Sequence, residues 1–397
     1  MPSRPSLLEI FLVALRLGCT SFGGPVAHLA YFRKEYVEKR GWLDEAHYAD
    51  LVALGQFLPG PASSQVGFGV GYLQRGLAGG LAAWLGFTLP SALLMIGFGY
   101  GVAALGDLST AGWLKGLKAA AVAVVAQAVW QMWRNLCPDL PRSLLAGASA
   151  GVLILVTTAW SQVAVIAAGA LIGWWLLRPN LPASPPPDGG PGGPALPAML
   201  CLGTFLALLL LLPVLVRLTN SPLLEVADRF YRTGALVFGG GHVVLPLLER
   251  EVVASGAVSH DQFLAGYGAA QAVPGPLFTF AAYLGTVMSR GPGGLAGGLW
   301  ALGAIFLPAL LVMAGALPFW ERLRRRNGAQ AALRGANAAV VGVLLAALYH
   351  PVGTSGLTDG RSIALAAAAF VLLQVARLPA WAVVLLAAAA GSLAGRF

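Results

Sequence analysis

The chain carries two copies of one pattern. Leu7-Leu8-Glu9, Arg16, Gly18 and Phe22-Gly23-Gly24 return as Leu223-Leu224-Glu225, Arg232, Gly234 and Phe238-Gly239-Gly240, each 216 positions on. Glu35 returns as Glu251, Gln56-Phe57-Leu58-Pro59-Gly60-Pro61 as Gln271-Ala272-Val273-Pro274-Gly275-Pro276, and Arg75-Gly76 as Arg290-Gly291. Ala78-Gly79-Gly80-Leu81 and Pro90 match Ala296-Gly297-Gly298-Leu299 and Pro308. A duplication of this length in an apolar chain points to two like halves around a shared centre, the plan of many secondary transporters.

The chain is apolar enough for a bilayer. Hydrophobic residues make up 57% and charged residues 10%, too little charge for a water-soluble surface. The net charge of +9 sits mostly in short clusters between apolar runs. That suits cytoplasmic loops facing anionic lipid, and it argues against a nucleic-acid partner. Cys19, Cys137 and Cys201 share no metal-like spacing and read as small packing residues. No phosphate-binding Walker sequence is present, which excludes ATP hydrolysis by that motif.

The apolar runs predict an all-α polytopic membrane protein. Its expected plan is two inverted-topology repeats with broken helices, about 13 spans arranged 6+1+6. The expected divisions are a first repeat over 1–178, a Pro/Gly-rich linker over 179–197, a linking transmembrane helix over 198–217 and a second repeat over 218–397. The odd linking span starts the second half on the opposite side of the membrane. Loop charge agrees. The 105–111 loop carries only Asp107, whereas its counterpart holds Arg322, Arg324, Arg325, Arg326 and Arg334. Arg134 and Arg142 occupy the next loop, and its counterpart has only Arg361 beside Asp359. Arg33, Lys34, Lys39 and Arg40 fall on the wrong side of this threading, so that stretch is re-entrant or interfacial, or the count is off by one.

The paired breaks are where chemistry belongs. Proline removes a backbone donor and disfavours helix in the residue before it, so each Pro-Gly-Pro interrupts its helix. The carbonyls and amides it frees are tolerated at membrane depth only against protein or water. The segment after the first break, with Ser63 and Ser64, starts a half-helix whose amides point at the break, an arrangement suited to an anion. Thr279 stands at the second. With the breaks themselves, Gly23, Gly24, Gly60, Gly239, Gly240, Gly241, His242 and Gly275 become substrate-binding candidates. The glycines have a second reading as sites of close helix packing.

Arg16 and Arg232 each lie six residues before a Phe-Gly-Gly break. A guanidinium at mid-membrane costs at least ~2.5–3.5 kcal/mol, so it needs a partner. Glu9 and Glu225 are two turns away along the same helix, too far to serve, so the partners lie elsewhere. One reading is that the arginines snorkel to the interface. The other is that they offset an anionic substrate, gripping two of its oxygens with the planar guanidinium. Glu35, Glu251 and His242 are candidates for proton coupling, with interfacial pairing to Arg33, Lys34 or Arg250 as the alternative for the two acids. Glu9, Glu225, Gln56, Gln271, Arg75 and Arg290 are candidates for supporting roles.

Phe22-Gly23-Gly24-Pro25, Pro59-Gly60-Pro61, Phe238-Gly239-Gly240-Gly241-His242 and Pro274-Gly275-Pro276, in duplicate, resemble the chromate ion transporter (CHR) family of the long-chain, two-domain type. The resemblance covers both halves. It implies export of chromate from the bacterial cytoplasm, chromate resistance, sulfate as the isosteric competitor, and the proton-motive force as energy source. It also implies a multi-pass protein of the bacterial inner membrane. The alternatives are a sulfate or oxyanion importer or exchanger, and a membrane redox enzyme. The last would need a flavin, haem or metal, and no cysteine cluster or paired in-span histidines support one, so no cofactor and no metal are expected. Partners are then chromate or sulfate and the lipid bilayer, and glycine-rich faces also suit a homodimer.

Overall fold

The computed structural model describes residues 4–105, 112–156, 161–177, 195–238, 244–320 and 327–394, and its regular structure is helical throughout. Residues 239–243 and 321–326, and with them Gly239, Gly240, Gly241, His242 and the Arg322–Arg326 cluster, lie outside the described residues. So does 178–194, nearly all of the expected linker.

The first helices show how sequence sets the packing. Helix α1 (Leu7–Thr20) is capped by Ser6, whose hydroxyl accepts from the Glu9 amide at 3.1 Å. Ile10, Val13, Ala14, Leu17 and Gly18 recur at helical spacing and are its buried face. That face meets α4 (Ala62–Leu105), where Gly18 lies under the Phe87 carbonyl. Between them run α2 (Gly24–Phe32), a π-helical turn (Arg33–Lys39) and α3 (Glu45–Phe57), the last capped by Asp44.

Helix α4 is a hairpin rather than a rod. Backbone angles leave the helical region at Arg75 and Gly76. The first limb folds back so that Gly71 packs on Gly79, and Phe68 packs on Gly80. A side chain at either glycine of the first pair would strike the facing carbonyl. The run therefore crosses as one long limb (78–105) plus a short one (62–74) that does not span by itself.

Helices α5 (Gly112–Leu136), α6 (Leu140–Leu155) and α7 (Ser161–Leu176) follow. Helix α8 (Ala195–Thr219) stands at the edge against α13 and α9. It has mean hydropathy 2.7, and Leu200, Leu206, Leu210, Leu211 and Leu218 are exposed. A leucine face of this kind belongs in lipid.

The later helices follow. They are α9 (Pro222–Leu236), α10 (Val244–Val252), α11 (His260–Ala272), a 3₁₀ turn (Leu277–Thr279) into α12 (Phe280–Val287), α13 (Gly294–Ala316), α14 (Asn327–Ala347), α15 (Gly360–Gln374) and α16 (Ala380–Ala394). Helix α9 packs on α13 with Gly234 under the Ile305 carbonyl, as Gly18 lies under Phe87. Gly285 packs on Gly297 as Gly71 does on Gly79.

The two halves also interlock. Helix α5 packs against α15 and α16, while α14 packs against α6 and α7. Gly116 lies under the Ala387 carbonyl, and Gly335 under that of Gly169. Each half thus supplies one helix to the last pair of the other. Among the described residues, five helices are long and apolar enough to cross a membrane: α4, α5, α8, α13 with its following turn, and α14. Shorter apolar helices fill in around them. The chain is an all-helical, polytopic membrane protein.

Candidate functional site

The two Pro-Gly-Pro breaks meet the two Phe-Gly-Gly breaks crosswise. The Gly60 amide donates to the Val237 carbonyl at 2.7 Å, and the Gly275 amide donates to the Ser21 carbonyl at 2.9 Å. Val237 is the counterpart of Ser21, 216 positions on. Each half therefore anchors its central break on the first helix of the other. Both glycines have positive φ, +121° at Gly60 and +95° at Gly275, which other residues rarely adopt. Both are also crowded: a methyl at Gly60 would come within 2.5 Å of Ala309 Cβ, and one at Gly275 within 2.8 Å of Ser91 Oγ.

The carbonyls released by the prolines find local donors. Gln65 Nε2 donates to the Pro59 carbonyl at 2.8 Å, and Thr279 Oγ1 donates to that of Pro276 at 2.8 Å. Ser63 Oγ lies 3.2 Å from His28 Nδ1, and both residues are buried. The hydroxyls of Ser21, Ser64 and Thr88 are buried without a hydrogen-bond partner. A buried polar group without a partner is costly, so the lining of this junction is suited to an additional polar occupant.

One cavity opens on the second junction. It has a volume of about 220 Å³ and is lined by Gly23, Gly24, Gly275, Gln127, Gln131 and Gln271, with apolar walls including Leu277 and Leu373. At about 30 Å³ per water, that is room for a small ion and part of its hydration shell. Its polar lining is neutral, and glutamine amides are its donors. Gln127 donates to the Leu373 carbonyl at 3.3 Å, and Gln271 Nε2 is buried with no partner. Neither Arg16 nor Arg232 lines this cavity.

The arginines lie in two separate clusters. Arg16 forms an ion pair with Glu35. Arg40 bridges Glu35 at 2.8 Å and Glu9 at 2.7 Å, and Lys39 lies 3.5 Å from Glu35. The Arg40 guanidinium also sits 5.3 Å from the Trp42 ring. These groups, with Arg4 and Gln74, line an open cavity of about 720 Å³. Burial alone would raise the Glu35 carboxyl. The hydrogen bond from Arg40 and the charges of Arg16, Arg40 and Lys39 outweigh it, holding the group below the usual carboxylate range.

In the second half, Arg232 bonds Asp228 at 2.5 Å and lies 3.7 Å from Glu251. Arg229 pairs with Glu225 and donates to the Glu251 backbone carbonyl at 2.6 Å. Thus Arg16–Glu35 and Arg232–Glu251 are equivalent pairs across the break, and Arg232 has a second, nearer partner on its own helix, Asp228. The sequence pointed to Arg33, Lys34 and Arg250 as partners of the two acids. The structure pairs Glu35 with Arg16, Arg40 and Lys39, because residues one or two apart on a helix do not face each other, and Arg33 turns to Glu38 and Glu45 instead.

The remaining candidates fall in several places. Arg75 binds the Pro5 carbonyl at 2.9 Å and the Arg4 carbonyl at 3.1 Å, tying down the start of α1. Arg290 and Gln56 are exposed. His28, Gln127 and Gln131 were missed by sequence reasoning. His28 follows Gly24 by four residues, which was the available signal; the two glutamines sit one turn apart in the otherwise apolar middle of α5 (119–133).

The family model described as "Chromate transporter" matches residues 8–174 and again 224–392. The chain is 27% identical to the probable chromate transport protein of Synechococcus elongatus, over 88% of this chain and 87% of the relative. It is 27% identical to the chromate transport protein of Cupriavidus metallidurans, covering 86% and 82% respectively. Identity to the chromate transport protein of Pseudomonas aeruginosa is 29%, over 98% of this chain and 93% of that one. No solved structure matches.

Proposed function

The chain belongs to the chromate transporter family, a family of transporters rather than enzymes, and we propose that it exports chromate through the cavity where the breaks of its two halves cross. The observation that carries this reading is the reciprocal pair of backbone hydrogen bonds, Gly60 to Val237 and Gly275 to Ser21. A reciprocal contact is the signature of two-fold relation between like parts. With the odd helix α8 between them, it supports inverted repeats, residues 1–178 and 218–397, in the 6+1+6 plan. The turn at 33–39 then sits at the interface rather than in a span.

The cavity suits a tetrahedral oxyanion. Its glutamine amides and glycine backbone present donors without a fixed positive charge, so they can release the ion as readily as they take it. The arginine clusters lie outside this cavity, where they draw anions toward it and offset their charge. Moving two negative charges out of an inside-negative cell releases ~4.6 kcal/mol per 100 mV, from ~2.3 per charge. In a bacterial inner membrane, that drives export and confers chromate resistance.

The test is labelled chromate flux in proteoliposomes, with potential and pH gradient set independently. Saturable flux toward the positive side, inhibited by excess sulfate, is expected. Flux no greater than in protein-free vesicles would overturn the reading.

A further inference from the structure

A buried acid and a histidine stand apart from all of these sites. Glu249, in α10, is 5% exposed. His260, the first residue of α11, brings Nδ1 to 3.1 Å from Glu249 Oε1. The contact is close enough for an ion pair but off the line of a well-formed hydrogen bond, and neither carboxylate oxygen accepts one from any other described residue. His260 Nε2 is likewise buried without a partner.

Both residues line a vestibule of about 620 Å³ with Arg250, Tyr349 and His350. These are the titratable groups on its described walls. The neighbouring ones are accounted for: Lys118 pairs with Asp261 beside His260, Arg229 with Glu225, and Arg232 with Asp228 and Glu251. His350 Nδ1 lies 3.1 Å from Thr354 Oγ1, and Arg250 reaches Ser161 Oγ at 3.4 Å.

We infer that the Glu249–His260 pair is a proton site that sets the charge of this vestibule and so governs anion entry to it. The proton adds to His260, with no bond broken and no other group required. With it on, Glu249, Arg250 and His260 together carry one net positive charge. With it off, Arg250 and Glu249 cancel, and His260 is neutral. An anion then binds best with the proton, and by linkage the proton binds best with the anion.

This inference rests on the reading of the protein as an oxyanion transporter, and its test separates the two. Sulfate is the probe, because it stays doubly charged across the range studied. Wild-type protein in detergent should bind sulfate on the order of tenfold more tightly at about pH 6 than at about pH 8. His260→Gln should bind weakly at both, because Glu249 stays charged. Glu249→Gln should bind well at both, because Arg250 is no longer cancelled. His350→Gln should keep the wild-type dependence.

Binding by the wild type that does not change with pH overturns the inference. So does a dependence that survives His260→Gln or is lost in His350→Gln. If the wild type binds neither sulfate nor chromate, the functional reading fails by itself. The proton site is then judged by the NMR titration of labelled His260: Glu249→Gln should move its midpoint to lower pH, and an unmoved midpoint overturns the site.

Discussion

Positions 33 and 45 hold an arginine and a glutamate; their counterparts 249 and 260, 216 and 215 positions on, hold a glutamate and a histidine. The first pair is exposed, bonded at 2.7 Å, and shared with Glu38. Hydrogen bonding to Arg33 keeps the Glu45 carboxyl below its usual range, and both partners stay charged near neutral pH. In the second pair Glu249 is buried, while His260 keeps a quarter of its side chain exposed. One half therefore holds a surface bridge at this place, and the other holds the proposed proton site. The helices that carry Glu45 and His260 are both capped at the preceding residue, by Asp44 and Ser259, while the charged positions differ. The Arg16–Glu35 and Arg232–Glu251 pairs show the other outcome, where both copies keep the same chemistry in unequal surroundings.

The sharpest way to break the comparison is at the crossed breaks. Alanine at Gly60 meets both an unfavourable φ and the fixed Ala309 methyl; at Gly275 it meets the Ser91 hydroxyl, which can swing aside. Gly60→Ala should lower stability by roughly 2–6 kcal/mol, from strain and overpacking together, and Gly275→Ala by less. Thermal unfolding in detergent ranks them. Equal, small effects would mean the junctions are looser than drawn.

Next come the arginines. Arg232→Ala leaves Asp228, 10% exposed at its side chain, without the guanidinium it bonds, and should cost about 1.5–3 kcal/mol. Arg16 is 55% exposed, and Glu35 keeps Arg40 and Lys39 without it, so Arg16→Ala should cost under about 1 kcal/mol. Denaturant unfolding compares the two variants. The reverse order would contradict the placement of the two clusters.

The smallest effect is on acid sensitivity. The Glu35 carboxyl is held below its unfolded range, so its contribution is complete above that range and fades as pH falls through it to the lower folded value. Glu35→Gln should flatten the loss of stability in that acid window and leave its slope near neutral pH unchanged. A stability–pH curve measures this directly. A variant that keeps the full acid slope would remove Glu35 from the account.

Much of this organisation was written in the residues. Proline chemistry alone placed the breaks: α3 ends at Phe57 and the helix resumes at Ala62. Other features left no mark. The crosswise bonds are backbone to backbone, and no side chain announces them. Arg16 and Glu35 meet across a break in the chain, and Glu35 lies in a π-helical turn, neither of which helical spacing reveals. The hairpin at Arg75–Gly76 reads in the sequence as a turn between spans, but the short first limb shows only when Gly71 is seen against Gly79. Gln127 and Gln131 look like ordinary polar residues on α5 until the cavity they line is known.

Chromate flux through Gln271→Leu protein in proteoliposomes tests most directly whether the anion passes the cavity at the crossed breaks. Gln271 Nε2 makes no hydrogen bond to the described fold, so the substitution removes a donor without leaving another group unpaired. The account predicts a folded protein whose KM for chromate rises roughly 10- to 100-fold, the value of one hydrogen bond to a charged ligand. Wild-type KM and rate in that variant would contradict it.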